Sequence, residues 1–90
     1  MEFQGRTVLL TKLEDYKGRK KGVGKTKEVI LNSNIKLGAN IQIKRFNEET
    51  GKEKRPITIS SVIRDIVPLS DTLSVQVRTD GSLYKIALTK

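Results

Sequence analysis

The sequence contains no cysteine, no histidine and no tryptophan. Without cysteine the chain can form no disulfide bond, no thiolate metal site and no thiol nucleophile. Without histidine it lacks the residue that most often serves as a general base and as a transition-metal ligand. We therefore predict that the protein is not an enzyme, has no catalytic or metal-binding residues and needs no cofactor.

Long hydrophobic stretches are also missing. The longest unbroken apolar runs are three residues long, as at Val8–Leu10 and Val29–Leu31, whereas a membrane-spanning helix needs about 20 apolar residues. The N-terminal segment MEFQGRTVLL lacks the apolar stretch and the small-residue cleavage site of a signal peptide. We expect a cytoplasmic protein with no membrane span.

Size and charge define the class of protein further. The 90 residues are 36% hydrophobic, which predicts one small domain over residues 1–90 with a single modest core. The 18 basic and 10 acidic side chains give a formal net charge of +8. This excess favours a polyanionic partner, and nucleic acid, DNA or RNA, is the most common one. The alternative is that the charge keeps a small domain soluble.

Two alternating runs near the C-terminus predict a β-hairpin. Their apolar positions are Leu73, Val75 and Val77 in the first run and Tyr84, Ile86 and Leu88 in the second. Between them lies Asp80-Gly81, a pair typical of a two-residue turn in which both residues have φ > 0. With this turn the two runs pair so that all six apolar side chains lie on one face.

Shorter alternating or β-branched segments predict further strands. They are Val8–Leu13, Thr26–Leu31, Asn40–Phe46, a return strand that begins near Pro56 and contains Ile57 and Ile59, and Ser61–Val67. The polar segment Asn47–Lys54 between two of them predicts a hairpin loop, and Pro56 is expected on an edge strand or at the start of a strand. Ser61–Val67 also fits a helical stripe, but it is short for a helix, so we predict a strand. The fold class is therefore all-β, as a small strongly bent sheet or partly closed barrel, SH3-like or OB-like.

Positive charge is concentrated in the glycine-rich segment Lys17–Lys27. Its six cations are Lys17, Arg19, Lys20, Lys21, Lys25 and Lys27, and it contains no acidic residue. Repulsion between like charges and the freedom of the glycines predict a mobile loop that an anion would order. We predict that this loop contacts a nucleic-acid backbone, and the alternative is a solvated loop without a partner.

Part of that loop, Gly22–Thr26, resembles the end of a phosphate-binding P-loop. The full pattern needs a glycine where Arg19 stands, and a helix where Thr26–Leu31 is predicted to be a strand. Nucleotide hydrolysis is therefore not predicted. A ribonuclease that works without histidine is a further alternative, although no residue stands out as its base.

A second basic group surrounds the predicted hairpin and consists of Lys44, Arg45, Lys52, Lys54 and Arg55. Glu48, Glu49 and Glu53 dilute its charge, which favours ion pairs on the hairpin. The alternative is that Lys44 and Arg45, at the end of a predicted strand, contact nucleic acid. Among the aromatic residues, Tyr16 adjoins the basic loop and is our candidate for stacking on a base. Phe46 is expected to pack in or beside the core, and Tyr84 to lie in it. The predicted function is a non-enzymatic nucleic-acid-binding module, and the alternative is a protein-interaction or structural β-barrel.

Overall fold

The computed structural model describes residues 3–18, 22–69 and 73–89. Within these ranges the chain forms seven β-strands and no helix, which confirms the all-β class. The strands are β1 (Thr7–Asp15), β2 (Thr26–Ile30), β3 (Gln42–Phe46), β4 (Glu53–Thr58), β5 (Ile63–Pro68), β6 (Ser74–Thr79) and β7 (Ser82–Leu88). The ambiguous segment that ends at Val67 is a strand, as its β-branched composition predicts.

The strands form two antiparallel sheets. Five of them lie in the order β2-β1-β7-β6-β5, and β3 and β4 form a separate hairpin. The hairpin meets the larger sheet through a bridge between Leu31 and Ile43 and a 2.8 Å hydrogen bond from Asn32 N–H to the Gln42 carbonyl. The larger sheet is open, with β2 and β5 at its edges. The prediction of a small bent sheet or partly closed barrel is confirmed, and the larger sheet does not close on itself.

Register shifts occur in three of the strand pairs. Leu13 is an extra residue in β1 opposite β7, and Arg64 is an extra residue in β5 opposite β6. In the smaller sheet, Arg55 and Pro56 of β4 together face Lys44. Such bulges bend a strand and increase its twist. Pro56 was predicted on an edge strand or at a strand start, and the edge position is confirmed because, among the strands that the structure describes, β4 pairs with β3 alone. Pro56 lies inside β4 at the bulge, where no ladder hydrogen bond needs its missing N–H.

The C-terminal hairpin forms in the predicted register. Val75 pairs with Ile86 and Val77 with Tyr84, and all four side chains are buried. The Leu73 carbonyl accepts a hydrogen bond from Leu88 N–H at 2.9 Å, yet the Leu73 side chain is exposed because it precedes the first residue of β6. The hairpin thus supplies the centre of the core, including Tyr84 as predicted. At its open end, the Leu73 side chain is not part of the core.

The turn between β6 and β7 differs from its prediction in one respect. Gly81 does not have a positive φ, so the expectation that both turn residues need φ > 0 is wrong. The Thr79 hydroxyl organises the turn: it accepts hydrogen bonds from Gly81 N–H at 3.3 Å and Ser82 N–H at 3.1 Å and donates to the Ser82 carbonyl at 3.1 Å. A Cβ added at Gly81 would lie 3.3 Å from Ser61 Oγ. The constraint on Gly81 is this close approach.

The core packs against one face of the larger sheet, the face that carries Leu10, Val75 and Ile86. Its buried apolar side chains are Phe3, Val8, Leu10, Leu31, Ile35, Ile41, Ile63, Val75, Val77, Tyr84 and Ile86. Several come from irregular segments, and Phe3 is held there because the Asn34 side chain accepts hydrogen bonds from Phe3 N–H at 3.2 Å and Gln4 N–H at 2.9 Å. Isolated apolar residues such as Phe3 and Ile35 carry no periodicity, so the sequence does not predict their burial.

Candidate nucleic-acid interface

Two lysines lie on the core-bearing face of the larger sheet, beside the core. In the pairing of β1 with β2, Leu10 opposes Lys27, and residues that oppose each other across strands share a face. Lys12 follows Leu10 by two residues and opposes Tyr84 of β7. Because side chains alternate along a strand, Lys12 and Lys27 both point to the face that carries Leu10 and Tyr84.

These lysines border a cleft of about 270 Å³ between the larger sheet and the β3–β4 hairpin. Its apolar lining consists of Leu10, Val29, Ile43, Ile57, Ile59 and Tyr84, and the remaining lining residues are Lys12, Gly22, Lys25 and Lys27. The Tyr84 hydroxyl donates a 3.4 Å hydrogen bond to the Ile59 carbonyl, which joins β7 to the segment that follows β4. The cleft therefore has apolar walls from both sheets and a cationic rim.

The free charge of the rim comes from Lys25 and Lys27. Lys12 Nζ lies 2.8 Å from Asp15 Oδ2, and the Asp15 side chain is 2% exposed, so the charge of Lys12 is compensated locally. Neither Lys25 nor Lys27 has a carboxylate partner in the part of the chain that the structure describes. An ammonium group without such a partner is free to meet an anionic ligand.

A glycine turn holds Lys25 at the cleft. Gly24 N–H donates a 2.8 Å hydrogen bond to the Lys12 carbonyl, and Lys25 N–H donates one of 3.2 Å to the Gly22 carbonyl. Both glycines have a positive φ, which other residues adopt only with strain. The glycines of the P-loop-like segment thus form a turn that leads into β2, rather than a loop that opens a helix.

The structure separates the other residues of the predicted basic loop. Lys27 lies in β2, as the predicted strand requires, while Arg19, Lys20 and Lys21 lie outside the described residues. Lys17 lies toward the β6–β7 turn, where its backbone N–H donates a 2.9 Å hydrogen bond to Asp15 Oδ1. The mobility of Lys17–Lys27 stays a prediction.

Tyr16 lies at the same turn as Lys17. Its N–H donates a 2.9 Å hydrogen bond to the Gly81 carbonyl, and its side chain is 46% exposed. A second cavity, lined in part by Gly81 and Ser82, shares Lys12 and Tyr84 with the cleft and lies next to it. Tyr16 lines neither cavity, so its exposed ring stays a candidate for stacking on sequence grounds and by its exposure.

The second basic group is engaged within its own hairpin. Lys44 Nζ lies 3.7 Å from Glu53 Oε1, and Arg45 Nε donates a 3.2 Å hydrogen bond to the Arg55 carbonyl. Phe46 lies exposed at the end of β3, beside a third cavity between β2 and β3, so it packs at the rim and not in the core. Neither Lys44 nor Arg45 lines the cleft that Lys25 and Lys27 border.

Sequence reasoning missed Lys12 and the apolar walls as parts of the site. The signal for Lys12 was present, since it continues the alternation of Val8 and Leu10 and so belongs to their face. The walls carry no comparable signal, because Ile57 and Ile59 meet Leu10 only once the β3–β4 hairpin packs over the sheet.

Comparisons with known proteins identify no relative of the chain. No protein family, curated protein or solved structure matches the chain. Across residues 3–18, 22–69 and 73–89 there is no helix long and apolar enough to cross a membrane, and no cluster of three or more side chains that could hold a metal ion. The case for a function therefore rests on the cleft and its two unpaired lysines.

Proposed function

We propose that the protein is a non-enzymatic nucleic-acid-binding module that contacts the phosphate backbone through Lys25 and Lys27. The observation that carries the proposal is the position of these two lysines, without carboxylate partners among the described residues, on the rim of an open cleft. Cations placed in this way bind phosphates with release of the condensed counterions, which supplies most of the affinity of non-specific complexes.

Further residues extend the proposed contact on sequence grounds. Arg19, Lys20 and Lys21 belong to it because they are part of the same cationic run as Lys25. Tyr16 is exposed and directly precedes Lys17 in the chain, and an aromatic ring beside a cation suits stacking on a base. Lys44 and Arg45 contribute less, since the hairpin already engages their charged groups.

A salt titration with single- and double-stranded DNA and RNA tests the proposal. Replacing Lys25 and Lys27 together by Ser should reduce the slope of log affinity against log salt by about 1.8 on duplex DNA and about 1.4 on single strands. The loss should be equal for all sequences, because phosphate contacts position a protein without reading bases. Absence of binding at low salt, where the electrostatic contribution is strongest, would contradict the proposal.

The matched control changes charge elsewhere by the same amount. Lys52 and Lys54 are also two residues apart, are exposed, and lie on the β3–β4 hairpin outside the cleft lining. Replacing both by Ser gives the same net charge as the cleft variant. If both double variants weaken binding equally, net charge alone drives the interaction and the assignment to Lys25 and Lys27 is wrong.

A second candidate function is protein interaction through the same cleft. The observation that favours it is the apolar lining, because Ile43, Ile57 and Ile59 could hold an apolar side chain of a partner. Such a complex would depend weakly on salt and would lose affinity when Ile57 is shortened, while the double lysine variant would leave it nearly unchanged.

A further inference from the structure

We infer that the cleft holds an unstacked nucleobase, which makes the ligand of the proposed function a single strand rather than a duplex. The inference rests on that proposed function and names its substrate class. Its basis is a juxtaposition: apolar walls from two sheets face each other, and two lysines without carboxylate partners among the described residues border the opening.

The size of the cleft limits what can enter. Its volume of about 270 Å³ is slightly below the range of about 300–1,000 Å³ that is usual for sites of whole small-molecule ligands. One flat ring system is a better match for that space than a complete cofactor. Bases in a duplex are stacked and paired, and pulling one out costs a few kcal/mol, whereas a single strand presents unstacked bases.

The chemistry of the walls suits the faces of a ring. Leu10 and Val29 line the cleft from the larger sheet, and Ile43 and Ile57 line it from the hairpin. A base between these walls would contact apolar surface on both faces, which requires no particular base because every base has a π-face.

Two polar side chains beside the apolar walls are already engaged, which argues against reading of the base edge. The Tyr84 hydroxyl donates its proton to the Ile59 carbonyl, and the Lys12 ammonium group is held by Asp15. Lys25 and Lys27 remain for the phosphates on either side of the inserted base. We therefore expect binding of single strands with little discrimination among bases.

The experiment compares an oligothymidylate with an abasic strand of the same length, since both present the same phosphates and one lacks bases. The protein should bind the base-bearing strand at least about 5-fold more tightly, since burying about 40 Å² of base surface against aliphatic side chains is worth about 1 kcal/mol. The same protein should bind a duplex of that length more weakly than the base-bearing strand at equal salt.

Ile57→Ala locates the effect, and Val67→Ala is its control. Both side chains are partly exposed, at 36% and 44%, but Val67 lies on β5 at the opposite edge of the larger sheet from β2. Ile57→Ala should remove most of the advantage of the base-bearing strand and leave both the affinity for the abasic strand and the salt slope unchanged. Val67→Ala should change none of these, and unchanged unfolding midpoints show that both variants fold.

Each outcome decides a different question. Equal affinity for the base-bearing and abasic strands overturns the inference and leaves backbone binding in place. Tighter binding of duplex than of single strand also overturns it. Absence of binding to every strand at low salt contradicts the proposed function, and the inference with it. Base-dependent binding that Ile57→Ala does not alter places the base elsewhere, with Tyr16 as the next residue to replace.

Discussion

The guanidinium group of Arg64 donates two hydrogen bonds to the carboxylate of Asp80, from Nε at 2.8 Å and from Nη2 at 3.0 Å. Arg64 is the bulge residue of β5 and Asp80 lies in the β6–β7 turn, so the pair ties an edge strand to the central hairpin. The hydrogen bond from Arg64 lowers the pKa of Asp80. Desolvation opposes this effect, and the charges of Arg64, Arg78 and Lys17 add to it.

This ion pair predicts a pH-dependent contribution to stability. A carboxyl group whose pKa is lowered by folding stabilises the protein above its unfolded pKa, and that stabilisation is lost as the pH falls through the folded pKa. Asp80→Asn should therefore lower the thermal midpoint at neutral pH, and the variant and the parent protein should converge in acid. Glu48→Gln, an exposed carboxylate in the β3–β4 loop, is the control. A midpoint difference that stays constant with pH would contradict the prediction.

Because the C-terminal hairpin supplies the centre of the core, shortening its buried side chains should lower the free energy of unfolding strongly. Ile86 is fully buried, and Ile86→Ala should lower the free energy of unfolding by about 2–4 kcal/mol through lost burial and a residual cavity. Val75→Ala, in the core, should cost more than Val67→Ala, which makes the same change at an exposed site and should cost less than about 0.5 kcal/mol. Chemical denaturation measures both, and equal values for the two valine variants would be inconsistent with the observed core.

Because the Thr79 hydroxyl makes hydrogen bonds in the turn, Thr79→Val and Thr79→Ser should differ in their effect on the free energy of unfolding. The side chain is buried and serves the amides of Gly81 and Ser82. Thr79→Val keeps the shape but leaves those amides without an acceptor, which should cost about 1–3 kcal/mol of unfolding free energy. Thr79→Ser keeps the hydroxyl and should cost less. Denaturation curves in which serine is the more damaging replacement would show that methyl packing, and not the hydrogen bonds, governs this position.

The close approach of Gly81 to Ser61 predicts that one substitution can partly restore the stability lost through another. Gly81→Val should destabilise the protein because the new side chain meets Ser61 Oγ, which lies 3.3 Å from an added Cβ. Removing that oxygen with Ser61→Ala should recover part of the loss, since the two sites are in direct contact and their effects are not additive. A double-mutant cycle of unfolding free energies measures the coupling, and simple additivity of the two changes would rule out the contact as the cause.

The fold could be predicted from sequence where two local signals agreed. At the C-terminal hairpin both the Asp80-Gly81 turn and the alternation around Val75 and Ile86 indicate one register, and the structure has it. Pro56 was predicted only in part. Its missing N–H indicates an edge strand or a strand start, and β4 is an outer strand, but the sequence does not show that Pro56 lies inside β4 at a bulge opposite Lys44.

The candidate site could be predicted only in part, for a related reason. Charge density identifies Lys25 and Lys27 directly, because it is a property of the chain. Charge compensation depends on the fold. The glutamates of the β3–β4 hairpin indicate ion pairs there, and Lys44 does pair with Glu53, but the sequence does not show that Asp15 pairs with Lys12. The apolar walls depend on packing between segments far apart in the chain, which periodicity does not encode.

The open edges of the larger sheet give its lysines a second consequence. Exposed edge strands can pair with strands of other molecules, and proteins prevent this with proline, bulges and lysine. The β5 edge carries Pro68 and the Arg64 bulge, whereas β2 carries Lys27 and follows directly after Lys25. A polyanion that neutralises these lysines therefore also removes the charge repulsion that keeps β2 from pairing with strands of other molecules. The free protein would then stay monomeric because these lysines repel other copies. Several copies bound along a long polyanion could pair through β2.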